Sequence, residues 1–255
     1  MKQLTQKLKD GSMQVLDVAS PVLSPGMVLI LNHFSLISAG TEGSTVTAAR
    51  KSLLGKAKER PQQVKQVLDV LLQQGPVQTY RAVMKKLDAW SPLGYSCAGR
   101  VIGVAPDVSA FSVGDLVACG GLSASHAEVV AVPANLCVKL AHDADLRKAA
   151  YNTLGAIALQ GVRQADLRLG ETCAVIGLGL IGQLIGLLLK AGGIRVVGID
   201  VDEWAVGVAA AHCADLAFLR NHSRIEERID AFTGGVGADA VIIAAGSDSL
   251  DPVNF

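Results

Sequence analysis

Residues 173–200 read CAVIGLGLIGQLIGLLLKAGGIRVVGID, and the order of residue types spells a strand, a glycine turn, a helix and a second strand ending in an acid. The run Cys173–Ile176 is short, apolar and partly β-branched, as a strand buried on both faces must be. It leads directly into Gly177-Leu178-Gly179-Leu180-Ile181-Gly182. In a turn of this spacing the first glycine permits the tight bend. The second lets backbone approach a pyrophosphate, and the third lets the following helix lie close to the strand. The N–H groups at the helix start would then face phosphates. After the apolar helix Gln183–Lys190 and the stop Gly192-Gly193, the strand Arg195–Ile199 delivers Asp200. A carboxylate there accepts both ribose hydroxyls of NAD and repels the extra phosphate of NADP. A lone G-x-G-x-x-G arises by chance at glycine-bearing helix entries, where it merely permits close packing; here both strands, the helix and the terminal acid agree.

Working outward, residues 151–255 continue the alternation. A helical stretch at Lys148–Val162 precedes the glycine unit. After it come a helix near Trp204–Cys213, a strand at Leu216–Leu219, a helix at Ile225–Phe232 and a strand at Ala240–Ala244. Four parallel strands wound in the usual way lie in the order 3-2-1-4, whereas a complete doubly wound sheet has about six. The sequence ends at Asp251-Pro252-Val253-Asn254-Phe255, where the next helix should begin. A gene fragment is therefore expected, with strand four left as an apolar edge.

The first half, residues 1–150, has another character. Alternating runs such as MQVLDV and MVLILNHFSLI, divided by Pro21 and Pro25-Gly26, predict antiparallel strands between Met13 and Ile37. Short strands return between Gly99 and Lys139 in GRVIGVAP, GDLVAC and AEVVAVP, a small β-barrel pattern. Between them, residues 47–90 are helical: Pro61 suits a first turn, Val64, Val67, Leu68, Leu71 and Leu72 recur at helical spacing, and Gly75-Pro76 ends the element. A second helix carries Tyr80, Val83, Met84 and Leu87 on one face. This insert is basic, with Arg50, Lys51, Lys56, Lys58, Arg60, Lys65, Arg81, Lys85 and Lys86. It reads either as a lid that recognises a phosphorylated or sugar-nucleotide substrate or as a solvated face balanced elsewhere in the fold.

Composition narrows the classes. The 255 residues are 50% apolar and 18% charged, enough for two domains with substantial cores. Basic and acidic residues number 23 each, so the overall field gives no reason to expect nucleic acid or a membrane surface as partner. No signal peptide or membrane span is legible, and a cytoplasmic location is expected. Cys97, Cys119, Cys137, Cys173 and Cys213 are scattered without a C-x-x-C pair, which argues against a disulfide framework or a structural zinc lobe and for buried small residues.

The phrases LGYSCAGRVIGV, VGDLVACGG, HAEVVAVPANL, GETCAVIGLGLIG and GVGADAVI, in that order, resemble the medium-chain dehydrogenase/reductase superfamily. SAGTEG, SLLGKAKERP and TLGAIALQGVRQA are similar to the dehydrogenase half of two-part oxidoreductases of bacterial polysaccharide biosynthesis. The resemblance implies an α/β chain, with a GroES-like β-barrel catalytic domain followed by a truncated Rossmann domain. It implies a nicotinamide cofactor, a small-molecule substrate and, in the full-length protein, dimerisation through later strands of the Rossmann sheet; the oligomeric state of this chain stays open. Ala245-Gly246-Ser247 falls where relatives pass the nicotinamide ribose, and small residues there allow close approach.

Departures from the family pattern matter equally. Zinc-dependent members place Cys where this chain has Ala39, His-Glu where it has Tyr95-Ser96, and a third ligand near Tyr151 or Asn152. Alanine binds no metal, and a phenol or carboxamide is a poor zinc ligand. The resemblance therefore implies a zinc-independent branch with no catalytic metal. Hydride transfer to a carbonyl builds negative charge on oxygen, which hydrogen-bond donors must then stabilise. Thr41, matching the hydroxyl relay position of relatives, and Tyr95, at a former ligand position, are the candidates, with His126 a third. Each has a plainer alternative: Thr41 a turn residue bonding its own backbone, Tyr95 a packing residue capping a loop carbonyl, His126 a satisfied structural histidine. Glu42 is read as ordering its loop or capping a helix. The function expected is an NAD(H)-dependent, zinc-independent oxidoreductase acting on a carbonyl or hydroxyl group of a sugar or sugar-nucleotide derivative. The alternatives are an NADPH-dependent quinone or enoyl reductase, and a cofactor-binding module without turnover.

Overall fold

A computed structural model describes residues 1–50, 61–247 and 249–254, and the chain divides into two compact units, Met1–Thr153 and Leu154–Phe255. Of the basic insert, Lys51, Lys56, Lys58 and Arg60 lie outside the described residues.

In the first unit, β1 (Lys2–Lys7), β2 (Met13–Asp17) and β4 (Trp90–Pro92) form a small antiparallel sheet in the order β2-β1-β4. A five-stranded sheet runs β7-β3-β5-β6-β8, from β3 (Met27–Ser35), β5 (Ser96–Val104), β6 (Leu116–Gly120), β7 (Val129–Pro133) and β8 (Cys137–Lys139). It curls into a half-barrel. Period-two alternation sends Val28 and Ile30 of β3 and Val130 and Val132 of β7 inward, where they pack with Val101, Val117, Cys97 and Cys119.

Helical structure begins earlier than the sequence pattern indicates. Helix α1 spans Ala39–Arg50, starting ahead of the insert boundary near residue 47. Gly40 and Gly43 mask its propensity, and a local device compensates: the Ser38 N–H donates to Glu42 Oε1 at 3.0 Å, and the Glu42 N–H donates to the Ser38 carbonyl at 2.8 Å. This is a reciprocal cap of the same logic as a capping box. Helix α2 covers Pro61–Asp88 and is broken at Gly75, whose φ of 77° ends the first half. Pro76, which has no N–H to lose, opens the second. The face that carries Tyr80, Val83, Met84 and Leu87 is only partly buried, with Tyr80 65% exposed.

The second unit is a parallel sheet in the order β11-β10-β9-β12, the 3-2-1-4 order read from the sequence. Its strands are β9 (Thr172–Ile176), β10 (Arg195–Asp200), β11 (Leu216–Leu219) and β12 (Ala240–Ile243). Before them the predicted helix at 148–162 is two elements, α3 (Leu146–Ala149), capped by the Asp145 carboxylate and lying in the first unit, and α4 (Asn152–Gln164), which crosses the boundary. Between the strands run α5 (Leu180–Ala191), α6 (Glu203–His212) and α7 (Ile225–Thr233). Asp202 starts α6 by accepting the Trp204 N–H at 3.1 Å. Cys173, Val175, Ile185, Leu189 and Val196 fill one side of the sheet; Val197, Ile199, Phe218 and Ile225 fill another cluster. Strand β12 stands at the sheet's edge with Val241 and Ile243 55% and 44% exposed. No helix among the described residues is long and apolar enough to cross a membrane.

Candidate functional site

Two polar assemblies stand out, one in each unit. The first is the turn between β9 and α5. Gly177 has φ 93°, a conformation L side chains avoid, and its N–H donates to the Ile199 carbonyl at 2.8 Å. A Cβ there would also strike the Ala245 backbone, and a Cβ on Gly182 would overlap the Gly177 carbonyl oxygen. Both glycines are thus needed for packing whether or not a ligand binds. Gly179 differs. It is exposed, a Cβ on it would meet nothing within 4 Å, and no side chain caps the helix it begins. The N–H groups at Leu180 and Ile181 thus start the helix without a side-chain cap and face open space.

Asp200 lies at the C-terminal end of β10. Its Oδ2 accepts the backbone N–H of Leu178, and its Oδ1 accepts the Asp202 N–H at 2.9 Å. Each carboxylate oxygen keeps lone-pair capacity for a hydroxyl donor. Leu178 is 2% exposed and packs against Gly198, so its side chain belongs to the core and its N–H to Asp200. Ala245 lies against Gly177, while Gly246 and Ser247 are exposed and Ser247 Oγ pairs with Ser249 Oγ at 3.1 Å.

The second assembly is in the half-barrel unit. Tyr95 Oη donates to Thr41 Oγ1 at 3.4 Å, long for an O–H···O bond and therefore slack. Thr41 is exposed in the first turn of α1, and its carbonyl accepts the Ser44 and Thr45 hydroxyls. Next to it in sequence, Glu42 points inward. Its Oε2 meets His126 Nε2 at 3.0 Å, with the His and Glu side chains only 8% and 11% exposed. His126 Nδ1 meets Ser35 Oγ at 2.8 Å. The Nε2–H donates to the Glu42 carboxylate, and the Ser35 hydroxyl, able to donate or accept, satisfies Nδ1. His126 and Ser35 also line a cavity of about 300 Å³.

The structure thus brings Thr41 and Tyr95 together and joins His126 to Glu42 and Ser35. Ser35 carries no sequence signal of its own, and Glu42, expected to order its loop or cap a helix, also reaches His126. Glu42 and His126 are 84 residues apart, so no local spacing could link them.

The positions that the resemblance assigns to zinc carry other chemistry in this chain. Ala39 has no donor. Ser96 Oγ donates to the Ala150 carbonyl at 2.7 Å, and Asn152 Nδ2 points at Ser96 Oγ and the Cys97, Cys119 and Ala149 carbonyls at 3.1–3.3 Å. Its amide is spent joining β5, β6 and α3. These residues do not suit a tetrahedral metal. Among the described residues no group of three or more His, Cys, Asp or Glu side chains is placed to hold one.

No family model matches the chain. Over 161 residues it is 32% identical to D-guloside 3-dehydrogenase of Shigella flexneri, covering 62% of this chain and 46% of that protein. It is 28% identical over 189 residues to probable D-xylulose reductase A of Arthroderma otae, covering 61% and 53% respectively. The chain spans about half the length of the curated relatives it matches. Among solved structures, a quinone oxidoreductase from Pseudomonas syringae pv. Tomato DC3000 superposes with a TM-score of 0.72 at 21% identity, covering 98% of this chain and 68% of that one. The Escherichia coli quinone oxidoreductase complexed with NADPH superposes with a TM-score of 0.72 at 16% identity and the same coverage. At these identities the likeness is one of fold.

Proposed function

We propose, from the premise that the chain has the fold and the relatives of the medium-chain dehydrogenase/reductase family, that it is an NAD(H)-dependent, zinc-independent oxidoreductase acting on a carbonyl or hydroxyl group of a sugar or sugar-nucleotide derivative. The observation that carries this reading is the open turn at Gly179 with Asp200 beside it. The backbone of Gly177–Gly182 would hold a pyrophosphate and Asp200 the ribose hydroxyls, with Ala245, Gly246 and Ser247 along the nicotinamide end. When bound, that group supplies or accepts the hydride. Relatives whose names refer to D-guloside and D-xylulose support a sugar hydroxyl as the reacting group.

The chain's own residues handle the oxygen. As a carbonyl accepts hydride, negative charge grows on its oxygen and a directed hydrogen bond lowers the barrier. Tyr95 donates to Thr41, so the Thr41 O–H is polarised and free to donate to substrate. The 3.4 Å separation is of the kind that tightens once a ligand oxygen is engaged. With no metal ligands at positions 39, 95, 96 and 152, this pair carries the electrostatic work in the proposal.

Fluorescence titration with both reduced cofactors tests it. NADH is expected to bind at least about tenfold more tightly than NADPH, because the Asp200 carboxylate repels a 2′-phosphate. Tighter NADPH binding would transfer the assignment to the quinone or enoyl reductases, as the NADPH-bound fold neighbour illustrates. Binding of neither would end the oxidoreductase reading.

A further inference from the structure

His126 touches both arms of the Thr41–Tyr95 pair without touching the pair itself. On one side its Nε2 holds Glu42, the residue after Thr41. On the other its ring lies over Gly94, the residue before Tyr95, so closely that a Cβ on Gly94 would sit 2.8 Å from the ring. The imidazole is itself fixed at several points. Nδ1 meets Ser35 Oγ, the His126 N–H donates to the Leu93 carbonyl at 2.8 Å, and the His126 carbonyl accepts from Leu4 N–H at 2.8 Å. Glu42 is held at both oxygens, by His126 and by the Ser38 N–H that opens α1.

We infer that His126 and Glu42 are positioning residues that set the separation and orientation of the Thr41 and Tyr95 hydroxyls. The first two turns of α1 carry Gly40 and Gly43 and would fray alone; the Glu42 side chain ties them to a ring whose place is set by the sheet. Because that ring also seats Gly94, displacement of His126 alters both hydroxyls together. Ser35 fixes the rotation of the ring, and hence the direction in which Nε2 presents its proton to Glu42. The inference rests on the catalytic role proposed for Thr41 and Tyr95, but its geometric part stands apart from turnover.

The test uses the whole chain labelled with 3-fluorotyrosine. Three tyrosines, Tyr80, Tyr95 and Tyr151, give three fluorine resonances, and Tyr95→Phe assigns the relevant one. His126→Leu and His126→Gln both remove the ring, but only glutamine keeps an N–H able to reach Glu42. The Tyr95 resonance is expected to move in His126→Leu and to stay near its original position in His126→Gln, with Tyr80 and Tyr151 unchanged as a fold control. In parallel, kcat falls about tenfold or more in the leucine variant and recovers to within about threefold in the glutamine variant, at unchanged NADH affinity. If His126→Leu fails to fold, Glu42→Ala cuts the same bond from the other side and must move the Tyr95 resonance. An unmoved resonance, or equal displacement by leucine and glutamine, overturns the inference. A displaced and rescued resonance in a protein without turnover upholds the positioning while refuting the oxidoreductase reading.

Discussion

Gly182 sits so close to Gly177 that a single methyl on it would occupy the space of the Gly177 carbonyl oxygen. The close approach of α5 to the end of β9 is therefore steric, and overpacking there costs about 1–3 kcal/mol. Gly182→Ala is expected to lower the unfolding free energy by that amount in urea titration, with the midpoint falling accordingly. Gly179→Ala is the opposite case, because its φ of −65° suits alanine and its Cβ meets open space. The Gly179 variant should keep stability within about 0.5 kcal/mol yet lose about tenfold or more in NADH affinity, if backbone approach to a pyrophosphate is what that glycine serves. Unimpaired NADH binding by Gly179→Ala would remove the cradle from the argument.

Asp200 joins the two ends of the cofactor reading, since one carboxylate oxygen holds the turn at Leu178 and the other holds Asp202. Asp200→Ala removes both bonds and the negative charge. Discrimination between NADH and NADPH should collapse to within about threefold, chiefly by weaker NADH binding, and stability should fall by about 1–3 kcal/mol from the orphaned N–H groups. Retained preference for NADH in this variant would place the source of selectivity elsewhere.

These features were legible because they are local. Strand, turn, helix and acid fit within 28 residues, each glycine's job follows from geometry a few positions away, and the strand order follows from right-handed crossovers between neighbours. The half-barrel was legible as alternation in β3 and β7. What the sequence hid is non-local or compensated. The start of α1 was masked by Gly40 and Gly43 and rescued by the Ser38–Glu42 cap. The His126–Glu42 contact joins a loop before β7 to a helix 84 residues earlier, and neither residue type announces its partner. Helical spacing in α2 gave the right periodicity but not the burial, because a period shows which residues share a face, not whether anything covers it.

The His126–Glu42 pair is nearly enclosed, so breaking it strands a charge or a donor away from water. Single substitutions of either residue to alanine should cost about 3–5 kcal/mol if the pair is ionic. The double variant should cost less than the sum, leaving a coupling energy of about 1–3 kcal/mol in a cycle built from urea unfolding. Additive costs would show that the 3.0 Å contact contributes nothing of its own.

A catalytic metal is not expected to matter. Asn152 and Ser96 spend their polar atoms on backbone carbonyls and on each other, and Asn152→Ala should destabilise by about 1–3 kcal/mol through the acceptors it abandons. Dialysis against a strong chelator should leave NADH binding and any turnover unchanged, and elemental analysis of the purified protein should find no stoichiometric zinc. Activity lost to chelation and restored by zinc would sink the hydroxyl-based mechanism.

Thiol chemistry gives the last prediction, and its sign follows from the neighbours. Cys97, Cys119 and Cys137 occupy one rung across β5, β6 and β8, with Cys97 opposite Cys119 and Cys119 opposite Cys137. Cys119 donates its S–H to Cys137 Sγ at 3.7 Å. That bond holds Cys137 below the ordinary thiol range and pushes Cys119 above it. Burial pushes Cys173 up to about 11. The Cys137 thiolate is therefore favoured over those of Cys119 and Cys173, and Cys173 stays protonated until the pH approaches its raised value. A disulfide reagent added to native protein at pH 8 should react first with Cys137, and Cys137→Ser should abolish that phase. The full complement of five thiols should be reached only after denaturation. If Cys173 were modified in the native state at pH 8 as readily as Cys137, the buried assignment of β9, and with it the strand on which the glycine turn is built, would be wrong.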